Sequence, residues 1–369
     1  VPQIQGTVIT YCTNIHPAET WSETERNLRA HLPAVKRAVS PDAPFPIGLW
    51  LPARAAFEID EGSLRAFGEW CRQEGLFVPA INGFPYGRFH GAAVKEKVYL
   101  PDWRSPERAD YTRRLAELLA GWLPEGMAGS VSTVPVGFRR EIRREDLGLV
   151  RSSLILVLEH LDRIGQASGK EILLALEPEP GCYLETTGDA VLFFERLDLP
   201  ENLRGRIGLC LDCCHLAVEF EEPAQALGRL ADAGIRLGKV QLSSALRLRD
   251  VDPQGLARFC EPTYLHQTVI RGPDGTLSRY DDLPEALQRH RAVPGEEWRV
   301  HFHVPLFLDG REEPGTTRFF VEELLPLLGE DILLEVETYT WEILPPELRG
   351  GPVTEAIARE IRWAQAVKP

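Results

Sequence analysis

Long hydrophobic runs are missing from this chain. None approaches the roughly 20 apolar residues that a membrane-crossing helix requires, so no membrane span is expected. The first residues, VPQIQGTVITYC, carry neither a basic start nor a signal-like apolar block, which gives a cytoplasmic expectation by default. An excess of basic charge is also missing. The net charge of −14 argues against nucleic acid as a partner, because phosphate binding needs a basic footprint. The local clusters FRREIRREDLGLVR and ALRLRD are offset by acidic stretches and read as solvated faces. Seven cysteines, an odd number and scattered, suggest no disulfide framework and read mostly as small buried hydrophobes. No strand candidate is followed by G-x-G-x-x-G or G-x-x-x-x-G-K-S/T, the loops that cradle dinucleotides and nucleotide phosphates. There is no fixed-period repeat, no low-complexity segment and no dividing linker, so residues 1–369 read as one domain.

What remains is a soluble globular composition, 44% apolar and 26% charged, with strands and helices alternating almost from end to end. Eight strand candidates stand out: GTVITYCTN, FPIGLWLP, LFVPAIN, GSVSTVPVG, EILLALEPE, RIGLCLDCC, GKVQLSSA and DILLEVETY. Helical periodicity fills the intervals, as in SETERNLRAHLPAVKRAV, where Ser22 is the expected N-cap. Alternation of this kind implies parallel βαβ units, and eight of them fit a closed (β/α)8 TIM barrel better than an open doubly wound sheet. One interval breaks the rhythm. Between the seventh and eighth candidates, YLHQTVIRGPDGTLSRYDDL reads as a β-hairpin turning at Pro-Asp-Gly, and WRVHFHVPLF reads as a further strand. An insertion over approximately 248–312 is therefore expected to cover or extend the catalytic face.

Side chains alternate along a strand, which puts Glu177 with Glu179, Asp212 with Cys210, Gln241 with Lys239, and Glu337 with Glu335 on shared faces. If those faces point inward, four successive strands deliver Glu177, Asp212, Gln241 and Glu337 to one point. Carboxylates converging in a partly dry barrel mouth repel one another, and a divalent cation (Mn, Mg, Co or Zn) removes that penalty. Lys239 is open to two readings, a Schiff-base amine or an ion pair with Glu335.

The stretch CLDCCH raises the alternatives of a zinc knuckle or a redox pair. A structural zinc site needs a second cysteine pair, which the chain does not offer. A redox pair belongs at a helix N-terminus, whereas Cys213 and Cys214 are expected to follow a strand directly. Asp212 and His215 are left as the working residues. Loops after the first and third strands add Asn14, His16, Asn82, Phe84, Arg88 and His90 as candidate walls, and Trp21 as a stacking surface. His31, His160 and His290 sit in helical patterns and read as surface residues.

Glu177-Pro178 on the fifth strand, Asp212-x-x-His215 on the sixth, a polar ligand on the seventh and Glu337 on the eighth resemble the xylose isomerase-like TIM barrels of the sugar isomerase and epimerase superfamily. In its ketose 3-epimerase branch one divalent metal is held by two glutamates, an aspartate and a histidine. The resemblance implies that Glu177, Asp212, Gln241 and Glu337 are the ligands, with His215 and Arg247 on the substrate. Gln241 departs from the histidine usual there. His301 and His303 share a face within VHFHVP, and His303 is expected to make up the difference at the metal. At a finer level TYCTNIHPAETW, INGFPYGRFHG, VKEKVYLPDW, STVPVGF, CLDCCHLAVEFE, VQLSSALR and HFHVPLF resemble the EboE family of metabolite traffic proteins.

Together these readings imply a metal-dependent isomerase or epimerase of a small polyhydroxylated carbonyl metabolite. Glu177 and Glu337 would move the proton next to the carbonyl through an enediolate, while His215 and Arg247 anchor substrate oxygens alongside His16, Asn82, Arg88 and His90. The alternative is a non-catalytic metabolite-binding protein on the same barrel. Other proteins of its pathway and a homodimer are further possible partners, and an endonuclease of barrel type is disfavoured by the acidic charge.

Overall fold

The computed structural model describes residues 8–91, 93–249, 253–310 and 314–368. Strands β1 (Val8–Tyr11), β2 (Phe45–Trp50), β3 (Leu76–Asn82), β4 (Ala128–Thr133), β5 (Glu171–Leu176), β6 (Ile207–Asp212) and β7 (Arg236–Leu242) alternate with helices. The chain then builds β8 (Leu246–Arg249), β9 (Thr268–Arg271), β10 (Leu277–Tyr280), β11 (Glu297–Val300) and β12 (Gly315–Thr316) before returning with β13 (Leu333–Val336). Strands β1–β7 and β13 form one parallel sheet in the order β1-β13-β7-β6-β5-β4-β3-β2. Its ends meet through a parallel bridge between Cys12 and Gly48. Thr10 Oγ1 donates to Pro46 O at 2.7 Å across that seam, and Trp50 N donates to Thr13 Oγ1 at 2.9 Å. The result is the eightfold TIM barrel expected from the alternation.

Burial explains why the strands read as continuous apolar runs. Every residue of β2, β3 and β6 is buried, as both faces of a barrel strand are covered. Small residues are required where the interior narrows. A side-chain carbon on Gly48 would sit 2.1 Å from Glu335 Oε2 and 2.6 Å from Tyr11 O, so glycine there is what admits the Glu335 carboxylate. Among the described residues no helix is long and apolar enough to cross a membrane.

The helix after β1 spans Trp21–Val39, and its N-cap is Thr20 rather than Ser22. Thr20 Oγ1 accepts from Glu23 N while Glu23 returns a carboxylate to Thr20 N, a reciprocal pair that satisfies two donors at once and contributes about 1 kcal/mol. Ser22 lies inside the first turn, one residue past the helix start.

The insertion is larger than a hairpin. It is a five-stranded antiparallel sheet, β10-β9-β11-β8-β12, beginning at Leu246. The expected hairpin is its β9–β10 edge, with Arg271 opposite Leu277 around the Pro-Asp-Gly turn. Residues 250–252 and 311–312 of the expected insertion lie outside the described residues. One face of this sheet (Leu246, Leu248, Ile270, Trp298, Val300) packs with Leu256, Phe259, Leu283 and Phe302 into its own core. The chain leaves β11 at Val300 and crosses the barrel mouth as an extended strap, His301–Leu306. His301 N donates to Gln267 O at 2.8 Å, Val304 N to Ser244 O at 2.8 Å, and Leu306 N to Glu360 Oε1 at 2.9 Å.

Glu360, on the closing helix Val353–Val367, also accepts from Thr338 Oγ1 at 2.9 Å, so it ties the strap to the turn after β13. Burial pushes its carboxyl up to about 7 from an ordinary value of 4.5. A value raised by folding favours the protonated form, so the stabilising contribution is full below 4.5 and is lost as pH rises towards 7. Glu360→Gln keeps the accepting oxygen without the charge. Urea denaturation should show this variant gaining on the wild type as pH rises from 4.5 to about 8; parallel pH profiles for the two proteins would refute the assignment.

Candidate active site

The barrel floor is an ion pair in a place without water. Lys239 Nζ lies 2.6 Å from Glu335 Oε1, and neither side chain has any exposure. Lys239 also donates to Asn82 Oδ1, Asn82 Nδ2 donates to Glu335 Oε1 at 2.9 Å, and Ser132 Oγ donates to Asn82 Oδ1 at 3.1 Å. Burial alone would discharge the amine, but Glu335 reverses this and holds Lys239 far above its ordinary value. The ammonium is therefore fixed as a cation, which removes the Schiff-base reading.

Above this floor the acidic strand ends converge. One carboxylate oxygen each from Glu177, Asp212 and Glu337 falls within 4.8 Å of the others, all buried. Asp212 caps the short helix Cys213–Val218: its Oδ1 accepts from His215 N at 2.9 Å and from Ser243 Oγ at 2.7 Å, while Oδ2 is buried without a partner. Glu337 Oε1 accepts from Asn14 Nδ2 at 2.7 Å. Burial pushes Glu177 up to about 8, with Asp212 and Glu179 adding to the effect, and holds Glu337 well above its ordinary value, helped by Glu177 and Asp212. A divalent cation among these oxygens would reverse both shifts.

Imidazoles complete the mouth. His303 Nδ1 meets Glu337 O at 2.9 Å, and a carbonyl can only accept, so Nδ1 carries the proton. Nε2 then presents a lone pair, fully buried and without a partner. Burial lowers His303 to about 4, which keeps the ring neutral near pH 7. His303 groups with Asp212 and His215 within the same 4.8 Å span, so Asp212 belongs to both clusters. These donors fit a divalent ion: carboxylate oxygens plus one imidazole whose far nitrogen is fixed on a backbone carbonyl, with buried lone pairs left over. Gln241 is level with Asp212 in register, but its Oε1 is turned to the Cys210 thiol at 3.2 Å.

The cavity over these groups has a volume of about 60 Å³. Asn14, Asn82, Glu177, Glu179, Gln241, His215, His301 and Glu337 form its polar side; Phe84, Phe89, Val94, Val98, Tyr264 and Tyr339 face them. Lys95 closes the rim by donating to Tyr264 O at 2.6 Å and pairing with Asp282 at 2.7 Å.

No protein-family model matches the sequence, and no curated protein does either. Among solved structures the chain is similar to L-ribulose 3-epimerase, with 15% identity, a TM-score of 0.53, and coverage of 99% of this chain and 94% of that one. It is equally similar to the IOLI protein with a bound zinc atom (15%, 0.53, 98% and 97%). A third is a xylose isomerase-like TIM barrel protein from Mycobacterium smegmatis in complex with magnesium (14%, 0.51, 98% and 96%). The chain shares their TIM-barrel fold. At such identities the likeness establishes the fold alone, and the chemistry must come from the residues.

On this TIM barrel the structure brings Glu177, Asp212, Gln241, Glu337, His215, His303 and Asn82 to one end. Others go elsewhere. Arg247 lies on β8, where the chain has already left the barrel; it forks onto Glu297 at 2.9 and 3.1 Å and stacks on Phe319. His16 is buried away from the cavity, with Nε2 3.1 Å from Tyr11 OH and its ring stacked on His31, which is half-buried rather than a surface residue. Arg88 is exposed and pairs with Glu19 at 3.0 Å. His90 supports the wall from behind, through Tyr264 OH at 2.9 Å and Asn14 O. Trp21 packs in the core against Phe67 and Trp122. Cys213 and Cys214 do open a helix, contrary to expectation, but burial and Asp212 push both thiols up, the opposite of a reactive thiolate. Sequence reasoning missed Tyr99 and Gln267, which come from segments with no barrel-strand signal. Glu179 and His301 had a signal, since each shares a face with a residue already singled out.

Lys239→Met should destabilise the protein by about 3–5 kcal/mol, because Glu335 would be left as an unpaired buried charge. Adding Glu335→Leu should recover most of that loss in chemical denaturation. A double variant no more stable than the single one would rule out the uncompensated charge as the cause.

Proposed function

We propose that this chain is a metal-dependent isomerase or epimerase acting on a small polyhydroxylated carbonyl compound. The observation that carries the reading is the convergence of Glu177, Asp212 and Glu337 within 4.8 Å at the C-terminal end of the barrel, where barrel enzymes keep their chemistry. Glu177, Asp212, Glu337 and His303 would hold one divalent metal (Mn, Mg, Co or Zn), and Gln241 would join them by turning its amide from Cys210. When bound, the metal supplies Lewis acidity towards the substrate's carbonyl and neighbouring hydroxyl oxygens.

The chain's own residues do the rest. Glu177 and Glu337 rise from strand ends separated by two strands of the ring, so they approach a bound substrate from different sides. One removes the proton next to the carbonyl and the other returns it. Asn14 orients the Glu337 carboxylate through its Nδ2, and His215 lines the cavity beside the carboxylates. The aromatic wall and the Lys95 rim exclude water from the exchange. The solved epimerase folds support an epimerase or isomerase on this scaffold, and the stretches resembling the EboE family support placing it in a metabolite-handling pathway with other proteins as partners. A second reading, metabolite binding without turnover, is favoured by one feature: the strand-seven ligand position is an amide already engaged by a thiol.

Metal-loaded protein should exchange the proton next to the carbonyl of a ketose with solvent deuterium, read by NMR across a panel of ketoses, and a chelator should stop it. Glu337→Gln should slow exchange by about 10²–10⁴-fold with an unchanged melting temperature. Full exchange in that variant would end the proton-transfer role of Glu337, and no exchange with any ketose would favour binding without turnover.

A further inference from the structure

His215 and His301 face each other with their Nε2 atoms 3.1 Å apart, both rings buried. Their protons are already committed elsewhere. His215 Nδ1 lies 2.9 Å from Pro178 O, a carbonyl that can only accept, so Nδ1 is the donor. His301 Nδ1 lies 2.7 Å from Gln267 Oε1. That amide is oriented by its other end, since Gln267 Nε2 donates to Pro180 O at 2.9 Å and to Tyr99 OH at 2.7 Å. Tyr99 in turn donates to Glu179 Oε1 at 2.7 Å. Each link is fixed in direction, so with both rings neutral the chain would end with two imidazole lone pairs pointed at one another. Neutral rings would repel in this arrangement, so a cation belongs between them.

We infer that this cation is a second divalent metal, held by His215, His301 and Glu179 beside the carboxylate site. The inference extends the metal reading of the preceding subsection and rests on it. Three observations converge. Glu179, His215 and His301 each bring a ligand atom within one 4.8 Å span. Nitrogen ligands on a tetrahedral zinc lie about 3.3 Å apart, and the two Nε2 atoms stand at 3.1 Å. Glu179 Oε2 is buried with no hydrogen-bond partner, an acceptor free to ligate. Two imidazoles, one carboxylate and an open position form a zinc-type donor set, with both rings aligned by carbonyl-type acceptors on their far nitrogens.

Charge points the same way. Glu177, Glu179, Asp212 and Glu337 place four carboxylates at the barrel mouth, and Lys239 is already spent on Glu335. One divalent ion offsets half of that charge and a second offsets the rest. His215, which belongs to this group and also groups with Asp212 and His303, stands between the two positions. The second site depends on the insertion, because His301 arrives on the strap rather than on a barrel strand.

Metal stoichiometry tests this without any substrate. Apo protein is loaded with Zn²⁺, desalted and analysed for zinc per chain, beside His301→Ala, His215→Gln and Glu177→Gln, with circular dichroism to confirm folding. The expected result is two equivalents in the wild type and one in each variant. Cobalt loading should give a tetrahedral visible spectrum that Glu177→Gln retains and His301→Ala loses. A single equivalent in the wild type overturns the second site and assigns the cation between the imidazoles to a proton. If that equivalent is lost in Glu177→Gln and kept in His301→Ala, the carboxylate site of the preceding reading stands on its own. No zinc in the wild type overturns both.

Discussion

Lys239 and Glu335 meet inside the barrel where neither touches water, and the layout of the mouth follows from that pairing. A buried ammonium costs several kcal/mol unless a partner offsets it, and Glu335 is that partner. Room for its carboxylate is made by Gly48 across the closing seam. Asn82 bridges the two and is itself held by Ser132, so a single polar layer spans β3, β4, β7 and β13. With the Lys239 cation consumed by Glu335, the carboxylates above it have only imidazoles beside them as partners. Glu177 and Glu337 either take protons, as their raised values indicate, or take metal.

Much of this was legible in the sequence, and for a definite reason. Barrel strands alternate their side chains, so the spacing of Glu335 from Glu337 and of Lys239 from Gln241 assigns floor and mouth without any structure. Asp212 and Glu177 followed from the same rule. What failed was reasoning that carried a barrel register beyond the barrel. Arg247 sits six residues past Gln241, but β7 ends at Leu242 and the chain has by then joined an antiparallel sheet. Its partner Glu297 is fifty residues away in sequence, a pairing that no local pattern encodes. His16 misled for a related reason: position after a strand says that a side chain is near the mouth, not whether it turns inward or towards a helix.

The strap shows the other limit. His301 and His303 could be seen to share a face, yet nothing local says that the face crosses the barrel mouth. That placement depends on hydrogen bonds from Gln267, Ser244, Thr340 and Glu360, which come from different parts of the chain. The directionality of such bonds carries chemical information as well. A carbonyl opposite a histidine Nδ1 decides which nitrogen is left as a ligand, and three rings at this mouth are set in that way.

The strap also has a thermodynamic consequence. It belongs to a sheet with its own apolar core, while the groups it faces belong to the barrel. An ion coordinated from both sides would therefore act as a reversible cross-link between segments far apart in the chain. By mass action its free concentration would enter the docking of the insertion, making the closed mouth a function of solution composition as well as of sequence.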